Sequence, residues 1–214
     1  MTTTQWAMML RRLKLPDDSA CHTLTGYRVD LQRNECVKMV LQSSLEWLFF
    51  IDDDVMVPPQ AFDRLASHGV DIVSGLYYHK FEPIEPMVYV DRGDRMEVPA
   101  DFAVGKLMEA DLVGAGCLLI HRRVLEALTE PWFVWTEGDA TLPARDRLSD
   151  DFFFCRKAKA AGFRVFMDTG VRCLHVGLGA SELGGLFMPF SSPVHGIGFS
   201  CGKIEPWLKK ADGE

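Results

Sequence analysis

The sequence predicts an α/β fold: a mostly parallel sheet flanked by helices, with a small antiparallel extension. Three observations point to it. Helical and strand patterns alternate through the first part of the chain, as parallel strands joined by helices require. The run Trp47-Leu48-Phe49-Phe50-Ile51 is continuously apolar, the pattern of a buried strand. That run ends in three consecutive carboxylates, Asp52-Asp53-Asp54, at a strand's carboxyl end, where open α/β sheets gather ligands.

The elements follow in order. Thr4 can cap a first helix over 5–13, which stops before Pro16. Residues 17–25 read as a loop with at most a short strand. Leu31, Cys36, Val37, Val40 and Leu41 repeat at helical spacing and predict a helix over 30–43. After the strand 47–51 come a helix over 59–68 and a buried strand over 71–76. Short strands over 87–90 and 97–104, around the polar turn Asp91-Arg92-Gly93-Asp94, form the antiparallel extension. Residues 109–120 read as one strand softened by glycines, leading into a helix over 123–128. Residues 136–148 are polar and read as a mobile loop. A helix over 150–161 and strands over 164–168 and 171–175 complete this part. Glycine is frequent from Gly177 onward, which predicts a lid or tail over 177–214 beside a catalytic domain over 1–176.

With 214 residues, 48% hydrophobic and 25% charged, the chain is long enough for one ordinary domain with a sizeable core. Its formal charge of −7 leaves no basic footprint for nucleic acid. An acidic protein that takes a nucleotide diphosphate needs a metal to mask the repulsion. No apolar run reaches the length of a membrane span, and the opening Met1 to Gln5 lacks the basic and apolar segments of a leader. The six cysteines form no C-x-x-C pair and read as reduced thiols, so a cytoplasmic protein is expected.

Stacked negative charge behind a buried strand is unfavourable unless a cation neutralises it. Oxygen-only ligands suit Mg²⁺ or Mn²⁺, which usually arrive with a phosphate group. In an extended strand Asp52 and Asp54 share one face and Asp53 the other. The bland alternative is a solvated acidic turn or helix cap before Pro58-Pro59. Gly114, Ala115 and Gly116 mark either a close ligand approach or a bulge and tight packing. Asp150-Asp151 open a helix, where the dipole stabilises carboxylates; a plain N-cap is the simpler reading, but such a carboxylate can act as a general base. His175 ends an apolar run. A lone histidine is more often structural, yet a site built from two aspartates still needs ligands, and neutral imidazole suits Mn²⁺.

Several stretches between Asp30 and Gly177 combine in order: Arg33-Asn34 on a helix, Leu48 to Asp54, Pro58-Pro59, Asp71 to Tyr78, Val113 to Val124, Ser149 to Phe163, and Cys173-Leu174-His175-Val176-Gly177. On these the chain resembles the GT-A glycosyltransferases, in particular the family 2-like enzymes of bacteria and phages. The resemblance implies a sugar transferred from a nucleotide-diphosphate donor to a hydroxyl of a glycan, protein or modified-base acceptor. It implies that Asp54 binds Mn²⁺ or Mg²⁺ directly and that His175 is a further ligand. Asp52 would touch the ribose or the metal's water shell, with Asp53, Arg33 and Asn34 near the nucleotide. Gly114, Ala115 and Gly116 would lie beneath the donor sugar, and Trp132-Phe133 could stack on a sugar face. Asp151 would deprotonate the acceptor, with Asp150 where the family usually has Glu. Family members begin with a strand that cradles the base. This chain opens on the helix 5–13, so that strand is expected to be missing, leaving a sheet edge that favours homo-oligomers.

Other readings compete. A haloacid-dehalogenase-like phosphatase also carries D-x-D after an apolar strand, with a nucleophilic first Asp; Ile72-Val73-Ser74 and Asp150-Asp151 could imitate its later motifs. Against it, that strand normally opens the chain, and Asp150-Asp151 follow a polar loop. A sugar-nucleotide-binding protein without turnover is a second rival. A zinc site on Cys173 and His175 is too sparse to be tetrahedral alone.

Overall fold

A computed structural model describes residues 4–26, 28–80, 83–93 and 95–176, together with the backbone of 187–191 and 197–201. The chain runs α1 (Thr4–Arg12), α2 (Val29–Leu41), β1 (Trp47–Ile51), β2 (Val55–Met56), α3 (Ala61–Ser67), β3 (Ile72–Leu76), β4 (Val88–Asp91), β5 (Met96–Glu97), β6 (Leu107–Ala110), β7 (Leu112–Val113), β8 (Cys117–His121), α4 (Arg122–Ala127), a 3-10 turn (Ala144–Asp146), α5 (Asp150–Ala160), β9 (Val165–Arg172), β10 (Leu174–His175), β11 (Phe187–Ser191) and β12 (Ile197–Cys201).

The main sheet is α/β in character and five-stranded, in the order β1-β8-β3-β9-β6. Successive side chains of a strand point to opposite faces. Along β8, Leu118 and Ile120 enter a core under α2, α4 and α5 with Val37, Phe133 and Phe154. Cys117 and Leu119 enter a second core under α1 and α3 with Trp6, Val55 and Leu65. Burial on both faces is why these strands read as unbroken apolar runs.

The expectation of a mostly parallel sheet is corrected. Among the described strands of this sheet only β3–β9 pair in parallel; β1–β8, β8–β3 and β9–β6 are antiparallel. Strands β1, β3 and β9 still share one direction, with β8 inserted between the first two. The source is the stretch 109–120, which is not one strand. It breaks near Asp111, whose carboxylate accepts the Asp91 N–H at 2.8 Å, and again at Gly114 to Gly116. Its pieces serve different sheets: β6 returns along β9, β7 pairs with β4, and β8 joins β1 and β3. No crossover helix precedes β8, so nothing forces it parallel.

Other elements shift less. The expected strand over 97–104 reduces to β5, in a small antiparallel sheet β5-β4-β7, because the chain turns where Phe102 N–H bonds Pro99 O. The expected strand over 171–175 divides: Val171 and Arg172 end β9, while β10 pairs with β2 just after the acidic triplet. Loop 136–148 closes on itself through Thr136 N–H to Leu148 O at 2.9 Å. The proposed lid or tail from Gly177 lies outside the described residues, apart from the antiparallel backbone pair β11–β12. Among the described residues no helix is long and apolar enough to cross a membrane.

Candidate active site

The candidate residues gather where β1, β3 and β9 end. Asp52, Asp53 and Asp54 follow β1, Tyr77 to Lys80 follow β3, and His175 follows β9 on β10. The amino end of α5 faces them with Asp150 and Asp151.

The triplet is a turn. Val55 N–H bonds Asp52 O at 3.0 Å, while Asp52 N–H bonds Gly116 O at 3.2 Å. The alternation rule for extended chain therefore stops at Ile51, and Asp52 and Asp54 do not act as a same-face pair: they take different cations. Asp53 is exposed. The Trp6 indole donates to Asp52 O at 2.9 Å and fastens α1 over the turn.

Asp52 belongs to a half-site around Arg33. This guanidinium, 6% exposed, donates to Asp150 Oδ2 at 2.6 Å and to both Asp52 oxygens at 3.0 and 3.2 Å. The Phe50 and Phe133 rings lie 5.8 and 6.0 Å from it. Burial works against its charge, but Asp52, Asp150 and Asp151 outweigh burial and raise its pKa. Asp150 is nearly sealed. Burial pushes its carboxyl up to about 6; Arg33 opposes the rise and Asp151 adds to it. Asp151 accepts from Ala115 N–H at 3.1 Å, from Phe152 N–H at 2.9 Å and from the Ser149 hydroxyl. A carboxylate has about four lone-pair positions, so one remains for an incoming donor.

Asp54 belongs to a second half-site. Its Oδ2 meets the Lys80 ammonium and lies 3.5 Å from His175 Nε2. His175 Nδ1 lies 2.7 Å from Tyr78 O. A carbonyl only accepts, so Nδ1 carries a proton; Nε2 donates to Asp54 when the ring is charged and offers a lone pair to a cation when it is neutral. A histidine whose far nitrogen is committed to a backbone carbonyl is the usual arrangement of a metal ligand. Burial disfavours the Asp54 charge, yet hydrogen bonds from His175 and Lys80 prevail and hold it down to about 2. Among the described residues no group of three or more His, Cys, Asp or Glu gathers to hold a metal. Mg²⁺ commonly takes one or two carboxylates and completes its shell with water and phosphate oxygens. Asp54 and His175 offer one oxygen and one imidazole nitrogen, two ligands that a divalent ion could share with water and phosphate oxygens, and Cys173 joins no metal-holding group among the described residues.

Tyr77 joins the halves. Its ring meets His175 edge-on, centroids 5.4 Å apart, and its hydroxyl accepts Gly116 N–H at 2.9 Å. A Cβ at Gly114 would lie 2.0 Å from that hydroxyl, and one at Gly116 2.9 Å from the ring. The glycines thus admit Tyr77, the tight-packing alternative, and their expected place beneath a donor sugar is corrected: that space is filled. Two further expectations change. Asn34 is buried and holds Phe133 O, Asp30 O, Trp132 N–H and Phe133 N–H, so it clamps two chain segments and has no amide left for a nucleotide. Trp132 is buried, its indole donating to Leu125 O at 2.9 Å, and Phe133 stacks on Phe154, so neither offers a face to a sugar. The aromatic exposed beside Asp30 is Trp135.

Lys80 completes the site from outside every motif, and Tyr77 and Tyr78 close the stretch Asp71 to Tyr78 without having been singled out; the signal for all three is position, just past the carboxyl end of a buried strand. No protein-family model matches the chain, and the search of curated proteins returns no match. Among solved structures, the crystal structure of A197 from STIV matches at 22% sequence identity over 74% of this chain and 74% of that chain, with a TM-score of 0.49.

Proposed function

We propose that the chain is a metal-dependent glycosyltransferase of the GT-A type, moving a sugar from a nucleotide-diphosphate donor to an acceptor hydroxyl. The observation that carries the reading is the meeting of Asp54 Oδ2 and His175 Nε2 at 3.5 Å, with Nδ1 held by Tyr78 O. Asp54 and His175 would hold the ion, which when bound stabilises charge on the leaving diphosphate. Tyr77 keeps the imidazole oriented. Arg33 keeps Asp150 and Asp52 in place and limits the repulsion that anionic groups would meet. Asp151, with a lone pair to spare, takes the acceptor's hydroxyl proton as the acceptor oxygen forms the new bond to the sugar and the bond to the diphosphate breaks. The order of motifs from Arg33 to His175 supports the same reading. The phosphatase alternative needs Asp52 as a free nucleophile, and both its oxygens are engaged by Arg33.

The test is a donor screen measuring diphosphate release from UDP-, GDP- and dTDP-sugars with and without Mn²⁺. Asp54→Ala is expected to remove Mn²⁺-dependent nucleotide binding, and Asp151→Asn to keep binding while transfer stops. An Asp54→Ala protein with both properties intact overturns the assignment. Donor binding without turnover in the unaltered protein favours a binding protein instead.

A further inference from the structure

Asp54 already has a cation, and it belongs to the chain. Lys80, four residues beyond β3, sets its ammonium on Asp54 Oδ2, the same oxygen that faces His175 Nε2. The imidazole is fixed by neighbours, with Nδ1 committed to Tyr78 O and the ring braced by Tyr77. Lys80 is the movable member, a point charge on a flexible four-carbon stem. Its side chain is 31% exposed and that of Asp54 32%, so the pair opens to solvent.

We propose that Lys80 is a built-in competitor for the divalent cation: it occupies the Asp54–His175 pair and must swing away before Mn²⁺ or Mg²⁺ can bind. The inference rests on the metal reading above and adds a control to it. An ammonium and a divalent ion on one carboxylate oxygen would repel each other at contact distance, and a single negative charge cannot neutralise both. The pair is half-buried and open to solvent, so its attraction is weak enough for a metal to win. Metal loading would therefore depend on whether something else receives the displaced ammonium. The chemistry that suits it is an anion such as the donor's diphosphate, which couples ion and donor binding.

The experiment measures Mn²⁺ affinity directly, from the electron paramagnetic resonance signal of free Mn²⁺, with no donor or acceptor present. Lys80→Gln is expected to bind Mn²⁺ about five- to tenfold more tightly than the unaltered protein. Lys80→Arg, which keeps a cation on Asp54, stays near the unaltered affinity, and Asp54→Ala loses binding. Equal or weaker Mn²⁺ affinity in Lys80→Gln overturns the competitor role, while Asp54-dependent binding by the unaltered protein would leave the metal site standing. No Mn²⁺ binding in any of these proteins overturns both.

Discussion

Arg33 and Asp150 meet at 2.6 Å although 117 positions separate them, and the contact is buried on both sides. It ties the middle of α2 to the first residue of α5. The pair carries a known liability: removing one partner strands a charge where water cannot reach it.

Arg33→Met should therefore cost about 3–5 kcal/mol of folding free energy, because Asp150 and Asp52 lose their cation together. Adding Asp150→Asn to Arg33→Met should restore part of that loss. Urea unfolding of the single and double variants measures it; equal stability of the two would show that the pair is not a unit.

The burial of Asp150 makes stability depend on pH. Its folded pKa of about 6 lies above the usual carboxyl value of 3.8, so the folded state holds a proton that the unfolded state has released. Stability contributed at low pH is then lost as pH rises from about 4 through 6. Asp150→Asn cannot titrate there. From pH 4 to pH 7 the variant should gain on the unaltered protein by about 2–3 kcal/mol. A constant difference across that range would contradict the burial argument.

Tyr77→Phe removes the acceptor of a buried amide, Gly116 N–H. The expected cost is about 1–3 kcal/mol, with the fold retained. Amide exchange at Gly116 should rise in the same variant, and an unchanged rate would mean that the bond does not protect it.

Gly114→Ala sets a methyl group 2.0 Å from the Tyr77 hydroxyl and should cost about 1–3 kcal/mol or more. Gly138→Ala, with nothing within 4 Å of the new carbon, should stay within about 0.5–1 kcal/mol of the unaltered protein. Thermal melts of both variants give the comparison.

What could be read from the sequence follows from periodicity. Strands β1 and β3 and the five α-helices among the described residues show themselves because burial writes apolar runs and stripes, and their ends fall within a few residues of expectation. Strand direction is harder, since β8 carries the same kind of apolar run as its neighbours β1 and β3, which run the opposite way. Asp54, Asp151 and His175 were visible as motif residues. Arg33 and Asn34 stood among the motif residues, with an expected place near a nucleotide, yet with Asp30 and Val37 they lie on the buried face of α2, while Leu31 is 49% exposed. Polar residues at i, i+3 and i+4 on the core-facing stripe were the available sign of a buried charge centre. Tyr77 and Lys80 left no such sign, because their roles depend on where β3 ends relative to β1 and β10, a matter of tertiary arrangement.

The Tyr77 ring is one rigid plate that braces the imidazole on one side and the glycine amide on the other. On the proposed function, leaving-group stabilisation and proton removal would share a single mechanical support. A shift of that plate moves both, so substitutions in the two halves should display epistasis, with double variants departing from the sum of the singles. Redesigning this centre for another donor would mean changing both halves around the tyrosine in concert.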